Sequence, residues 1–410
     1  MRTNNKLMLA TVFLYFLTIV TSIISTSSPP QCIDDFGKPV DWYIIYKFPH
    51  LKSLNKPGLF GGHHYAYLTS NIKHSNGWHF SSHQITESQS MFGQTFSPFF
   101  SDNRSHLTTM FYNDQPPDGH DVPSSYAHAK GMITSDKHQG FWLIHTVPKF
   151  MAAENKYSYP ATGGRYGQVA MCISLSASEL AQVVDKNFLI ARPYVYHMHI
   201  DSASEATDLG RALVQLEQHK WNKSQNYSQL NLKSMAGESF QSFYKNPSYH
   251  VDLYAKIVAN TLRTCLRVET WRHNPGNPLE SECTNKNVEV ENVKRIQVKF
   301  VDSDLEGDFS YYDDHSKWAI TRDQTHDLVC IGDINRAESQ FHRGGGTTCL
   351  TDATAWNSFN SFIKDIERCP DDPDDIEMTT TTTTATTRIS SWWQSIIWKI
   401  RAYFNRGKEQ

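Results

Sequence analysis

His128-Ala129-Lys130-Gly131-Met132-Ile133-Thr134-Ser135-Asp136 and His315-Ser316-Lys317-Trp318-Ala319-Ile320-Thr321-Arg322-Asp323 read as one pattern written twice. A His and a Lys two residues apart place both side chains on one face of a strand, where the period is two. In both copies an Asp stands eight residues after the His, Asp136 and Asp323. Thirteen residues after the His an apolar run begins, Phe141-Trp142-Leu143-Ile144 in one copy and Leu328-Val329-Cys330-Ile331 in the other. Polar turn residues, Ser135 to Gly140 and Thr321 to Asp327, separate the two runs. Each copy is therefore expected to be strand, turn, strand. A lone His-x-Lys arises by chance in a chain with this much His and Lys. His50-Leu51-Lys52 is such a match, with neither the Asp nor the second strand. The shared spacing predicts a duplicated unit that supplies one catalytic His from each half.

Further strands are expected at Trp42-Tyr43-Ile44-Ile45-Tyr46 and Ala170-Met171-Cys172-Ile173. Helical periodicity lies near 177–187, 204–219, 236–244, 250–263 and 354–366. This mixture predicts an α/β fold with helices over a sheet. The 410 residues are 39% hydrophobic and 20% charged, which excludes disorder or a long coiled coil as the main architecture. A formal net charge of -3 excludes a constitutively basic nucleic-acid binder. All 19 histidines fall within residues 32–364. Acid would therefore turn this segment cationic and attractive to polyanions.

The two ends differ from the middle. Arg2 and Lys6 precede an apolar run from Leu7 to Val20, followed by small polar residues, so 1–28 is expected to be a cleaved signal peptide. The globular part is expected over 29–370. Residues 371–388, acidic and then Thr-rich, form an expected linker that has no core to bury. In 389–410, Trp392, Trp393, Ile396, Ile397, Ile400, Tyr403 and Phe404 make a helical apolar stripe beside Lys399, Arg401 and Arg406. Such a basic amphipathic tail suits a membrane surface or a protein partner. The cysteines are Cys32, Cys172, Cys265, Cys283, Cys330, Cys349 and Cys369. They suit an oxidising compartment, and none has C-x-x-C spacing, so a structural zinc site is not expected. Sequons at Asn103, Asn222 and Asn226 become usable on export.

The paired His-x-Lys motifs resemble the phospholipase D superfamily, and their context resembles the deoxyribonuclease II family. The matching stretches are Val40-Asp41-Trp42-Tyr43-Ile44-Ile45-Tyr46-Lys47, Tyr112-Asn113-Asp114-Gln115-Pro116-Pro117, Gly140-Phe141-Trp142-Leu143-Ile144-His145-Thr146-Val147-Pro148, Asp314-His315-Ser316-Lys317-Trp318, Cys330-Ile331-Gly332-Asp333-Ile334-Asn335-Arg336 and Arg343-Gly344-Gly345-Gly346-Thr347. They run in family order through most of residues 32–369. The resemblance implies a phospholipase D-like pseudodimer of two α/β halves, with mixed central sheets flanked by helices. It implies an acid endonuclease acting on double-stranded DNA, routed to the lysosome or secreted, and disulfides Cys32–Cys172, Cys283–Cys369 and Cys330–Cys349. The tail after Cys369 and Cys265 have no family counterpart.

The residue chemistry agrees. Lys130 and Lys317 beside a phosphodiester neutralise it without a metal or other cofactor. One imidazole attacks phosphorus and the other protonates the departing oxygen. This division needs one neutral and one charged imidazole, hence mildly acidic pH. The residue types leave open which of the two attacks; the preferred division takes His128 as nucleophile and His315 as general acid. The resemblance implies that the 5′ oxygen departs, leaving 3′-phosphate ends. His145, kept in the family's Phe-Trp-Leu-x-His, is a third catalytic candidate. Asn335 is expected near the phosphate, and Asp136 and Asp323 are expected to orient the Lys or His. The Gly344-Gly345-Gly346 loop is either a phosphate cradle or a plain turn. His197-Met198-His199 with Asp201 has metal-ligand spacing and would suit a metal-dependent secreted hydrolase, against the plainer reading of two exposed histidines on one strand. A secreted DNA- or host-partner-binding protein on a nuclease scaffold is the non-enzyme alternative. It would lack one of the four His and Lys, and all four are present.

Overall fold

The computed structural model describes residues 29–370 apart from 53–58, 73–76, 154–155, 273–275 and 325. The expected signal peptide and the linker and tail from 371 onward lie outside the described residues. Two sheets carry the fold. The first contains β1 (Trp42–Lys47), β2 (Tyr65–Thr69), β3 (His79–Phe80), β4 (Thr108–Asn113), β5 (Lys130–Ser135), β6 (Gln139–His145), β7 (Gln168–Ser176) and β8 (Val195–His199), in the order β8-β4-β5-β6-β7-β1-β2-β3. The second contains β9 (Tyr227–Lys233), β10 (Ser239–Lys245), β11 (Leu266–Thr270), β12 (Val290–Val298), β13 (Gly307–Ser310), β14 (Lys317–Thr321), β15 (Leu328–Gly332) and β16 (Gly345–Thr351). Their order is β9-β10-β16-β15-β14-β11-β12-β13, and β17 (Ile363–Glu367) pairs with β12. Among these strands, only β11 and β12 pair in parallel. The fold is a mixed α/β one in which strands outweigh helices.

The expected hairpins are β5–β6 and β14–β15, and their surroundings repeat too. Asn113 pairs with Lys130 as Thr270 pairs with Lys317. His145 pairs with Ala170 as Gly332 pairs with Thr347. Lys47 pairs with Gln168 as Lys245 pairs with Gly345. The strand quartet β4-β5-β6-β7 thus matches β11-β14-β15-β16 residue for residue, with β1 answering β10.

Both faces of each sheet are covered, which explains the near-continuous apolar runs. Trp42, Ile44, Trp142 and Ile144 join Trp318, Ile320, Val329 and Ile331 in one core shared by the two sheets. Tyr43, Ile45, Phe141 and Leu143 point the other way into a second core, and Ala319 and Cys330 into a third. Helix α1 (Asp208–Glu217) buries Leu209, Leu213 and Leu216, a spacing of one face, and Thr207 caps it by accepting from the Gly210 N–H. Helix α2 (Ala353–Phe362) is capped by Asp352 and sets Trp356, Phe359 and Phe362 into the shared core.

The helical reading of 236–244 is wrong: Ser239–Lys245 is the strand β10, hydrogen-bonded on both sides. Its Phe, Ser and Tyr residues suit a doubly paired strand, and tertiary pairing overrides the apparent helical period. The disulfides are Cys32–Cys172, Cys283–Cys369 and Cys330–Cys349, as the family resemblance implied, and Cys265 is a buried free thiol. Closing a loop of 140 residues, as Cys32–Cys172 does, restricts the unfolded chain by roughly 5 kcal/mol.

Candidate active site

His128 and His315 each stand two residues before a central strand, β5 and β14. What holds them comes from the opposite half. The His128 N–H donates to the Gly344 carbonyl and the His315 N–H to the Gly167 carbonyl, both at 2.9 Å. Gly167 and Gly344 are matched positions, each three residues before the partner of the β6 or β15 end, Ala170 and Thr347. Both must be glycine for the chains to approach this closely. A Cβ on Gly167 would lie 2.3 Å from Asp314 Oδ1, and one on Gly344 would lie 2.0 Å from the Ala191 carbonyl. The Gly344–Gly346 turn therefore serves close packing.

Two buried lysines fix these glycine turns. Lys47 Nζ donates to the Gly164 and Tyr166 carbonyls. Its counterpart Lys245 donates to the carbonyls of Gln340, Phe341 and Arg343. Burial pushes the Lys47 amine down to about 7 and that of Lys245 to about 8. Each lysine closes the segment that reaches across to the other half's histidine. Lys245→Met, which leaves three carbonyls without their donor, is expected to lower stability by about 2–5 kcal/mol in urea unfolding. A variant as stable as the parent would contradict this anchoring role.

The side-chain partners of the two histidines differ. Asp114, directly after β4, receives His128 Nδ1 at 2.7 Å, Arg343 Nη2 at 2.8 Å and the Lys130 ammonium. Burial would raise the Asp114 carboxyl, but the adjoining charges outweigh it and hold it well below the usual carboxylate range. His315 Nδ1 instead donates to the Thr146 carbonyl at 3.0 Å. The Trp271 ring stands across the His315 ring, with centroids 4.5 Å apart. Burial pushes His128 down to about 3 against the pull of Asp114, and burial followed by the charges of Lys317 and Lys130 lowers His315. Both rings are thus neutral in the free protein at neutral pH, each with Nδ1 engaged.

His128 and His315 line one cleft of about 410 Å³, together with Asp114, Lys149, Trp271, Asn335, Gln340 and Arg343. His128 Nε2, Asn335 Oδ1, Gln340 Oε1 and Trp271 Nε1 are buried there with no hydrogen-bond partner among the described residues. Unpaired buried polar atoms are costly, and a cluster of them in one cleft is what a polar ligand would satisfy. Lys130 and Lys317 are both buried, and burial, followed by the charge of Lys130, holds the Lys317 amine well below its usual value. Burial lifts the Asp333 carboxyl to about 8, so this neighbour of Lys130 is uncharged in acid, and Asp114 is the carboxylate that pairs with the ammonium.

The structure therefore brings together His128, Lys130, His315, Lys317 and Asn335. His145 is buried, accepts from the Val147 N–H, and is pushed down to about 3 by burial and then by Lys130. It is a neighbour of Lys130 at the strand end. Asp136 and Asp323 do not join the site, contrary to the expectation that they orient the His or Lys. Asp136 accepts the N–H groups of His138 and Gln139 in the hairpin turn, roughly 20 Å along β5 from Lys130. Asp323 is exposed in the corresponding turn of the second half. The equal spacing marks equal turns. His197 lies near Thr109 Oγ1, and His199 near the Ser105 carbonyl, on the edge strand β8. No group of three His, Cys, Asp or Glu among the described residues is arranged to hold a metal. Sequence reasoning missed Asp114 as the orienting carboxylate, although it stands within the quoted family stretch. Its signal is its position just after the strand that pairs with Lys130, which requires the sheet register.

The family model for deoxyribonuclease II matches residues 31–369. Plancitoxin-1 of Acanthaster planci is 33% identical, covering 86% of this chain and 96% of its own length. Deoxyribonuclease-2-alpha of Mus musculus is also 33% identical, covering 83% of this chain and 93% of its own length. Cell death-related nuclease 6 of Caenorhabditis elegans is 30% identical, covering 86% and 93%.

Proposed function

The chain belongs to the deoxyribonuclease II family and is a deoxyribonuclease, and we propose that it cleaves double-stranded DNA in acid, without a metal, through a phosphohistidine. The observation that carries this reading is the unequal pair of histidines in one cleft, one oriented by a carboxylate and the other by a backbone carbonyl.

His128 donates its Nδ1 proton to Asp114, which leaves a lone pair on Nε2 and an anion positioned to stabilise the charge the ring gains on attack. Nε2 bonds to phosphorus as the P–O5′ bond breaks. The departing electron pair on O5′ takes the proton from Nε2 of protonated His315. His315, now neutral, takes a proton from water, whose oxygen displaces His128 and leaves a 3′-phosphate. Lys130 and Lys317 hold charge on the non-bridging oxygens, and Asn335 offers a side-chain amide to the same group. The three disulfides, with the export signal expected at residues 1–28, support a route through the secretory pathway to the lysosome or the exterior.

The pH dependence has a definite sign. Burial and two lysines lower His315, so its charged form is scarce near neutrality, and the anionic phosphate raises it on binding. Plasmid cleavage in EDTA is expected to rise by about tenfold per pH unit as pH falls from 7 towards 5, as long as the protonated fraction limits the rate. Loss of cleavage in EDTA, or a rate that peaks above pH 7, would remove the metal-free imidazole mechanism.

A further inference from the structure

The two halves match in register but not in chemistry next to their histidines. Trp271 follows Thr270, which pairs with Lys317, as Asp114 follows Asn113, which pairs with Lys130. Tyr166 stands four residues before Ala170, as Arg343 stands four before Thr347. The ionic trio Arg343–Asp114–His128 thus has an aromatic counterpart, Tyr166–Trp271–His315. Trp271 and Tyr166 rings lie 5.3 Å apart at 39°, and the Arg165 guanidinium sits 4.9 Å over the outer Tyr166 ring. Both aromatic residues are half-buried, and Trp271 lines the catalytic cleft beside His315.

An indole cannot orient His315 as a carboxylate does, and it neutralises no charge. It offers a flat apolar surface and an N–H that finds no partner among the described residues. His315 is the general acid of the reaction proposed above, on which this inference rests. The group it protonates is the O5′ of a nucleoside, whose base is tethered to that oxygen by a few bonds and can reach the aromatic face beside His315. Bases stack on aromatic side chains whatever their identity, and a flanking guanidinium suits the next phosphate. We propose that Trp271, backed by Tyr166, is the stacking subsite for the nucleobase on the leaving-group side of the scissile phosphate. A base in an intact duplex must leave its stack to reach this surface, so substrates with an unpaired base at that position are favoured.

The test compares thymidylyl-(3′→5′)-thymidine with the same dinucleotide lacking the base on its 5′-linked sugar. The unaltered protein is expected to cleave the base-bearing substrate with a kcat/KM about tenfold higher. Trp271→Ala should bring the ratio close to one, and Trp271→Phe should keep most of the preference. Tyr166→Ala should reduce the ratio in part and guards against a folding defect in the Trp271 variant. A ratio of one in the unaltered protein, a ratio that survives Trp271→Ala, or equal losses on both substrates would overturn the inference, the last by making Trp271 a mere support for His315. Failure of the underlying chemistry shows differently, as EDTA sensitivity or residual activity of His128→Ala, neither of which alters the base-to-abasic ratio.

Discussion

His128→Ala and His315→Ala are each expected to reduce acid cleavage of plasmid DNA by about 10⁴-fold or more, and the double variant to be no slower than the singles. The reason lies in the chemistry of the pair. Without His128 there is no atom to accept the phosphoryl group, and without His315 the O5′ must leave as an alkoxide. Either loss stops the same step, so the costs do not add. His50→Ala is the control, since His50 lines a separate depression with Lys52, Arg295 and Lys364. Its variant should retain activity within about twofold, as surface changes away from a site usually do. His315 is buried and His128 largely so, and neither ring carries a charge of its own at neutral pH, so the variants should fold, as checked by a cooperative thermal transition. Substantial activity in either single variant that passes that check contradicts the two-histidine site. A second readout separates the roles: with the 4-nitrophenyl ester of thymidine 3′-phosphate, whose leaving group needs no proton, acid-labile phosphate is trapped on the His315→Ala protein and never on His128→Ala if His128 is the nucleophile.

Asp114→Asn should lower kcat by about 10³-fold with little change in KM, by analogy with loss of the carboxylate that orients a catalytic imidazole. The carboxylate takes the Nδ1 proton of His128 and also meets Lys130 and Arg343. An amide of equal shape can turn its NH2 toward Nδ1 and so favour the wrong tautomer, in which Nε2 carries the proton. It also leaves two buried cations uncompensated, at a cost of about 3–5 kcal/mol in stability. Asp136→Asn, in the hairpin turn, is the matched comparison and should change kcat by less than about twofold. If the two variants behave alike, the orienting role belongs elsewhere.

Legibility divides cleanly between these two carboxylates. Asp136 was visible from spacing, because the two hairpins are built alike and an Asp that accepts turn N–H groups recurs wherever that turn recurs. The same spacing carries no information about what lies across the sheet. Asp114 meets Arg343 over a separation of 229 residues, and His315 meets the Thr146 carbonyl over 169. The strand β10 was misread for a related reason, since its short aromatic and Ser sequence is compatible with a helix until two neighbours pair with it.

What the sequence determined by itself were the duplicated hairpins with His128, Lys130, His315 and Lys317, the buried strands beside them, and the family to which the chain belongs. These depend on alternation along single strands and on residue types in order, both local properties. Tertiary structure alone decided which residues act on those four. It brought Gly344 to the backbone of His128 and Gly167 to that of His315, placed Lys47 and Lys245 beneath those turns, and set Asp114 against one ring and Trp271 against the other. The physical reason is register. Once Lys130 pairs with Asn113 and Lys317 with Thr270, the next residue along each partner strand faces a histidine, and whether it is a carboxylate or an indole sets the chemistry of that half.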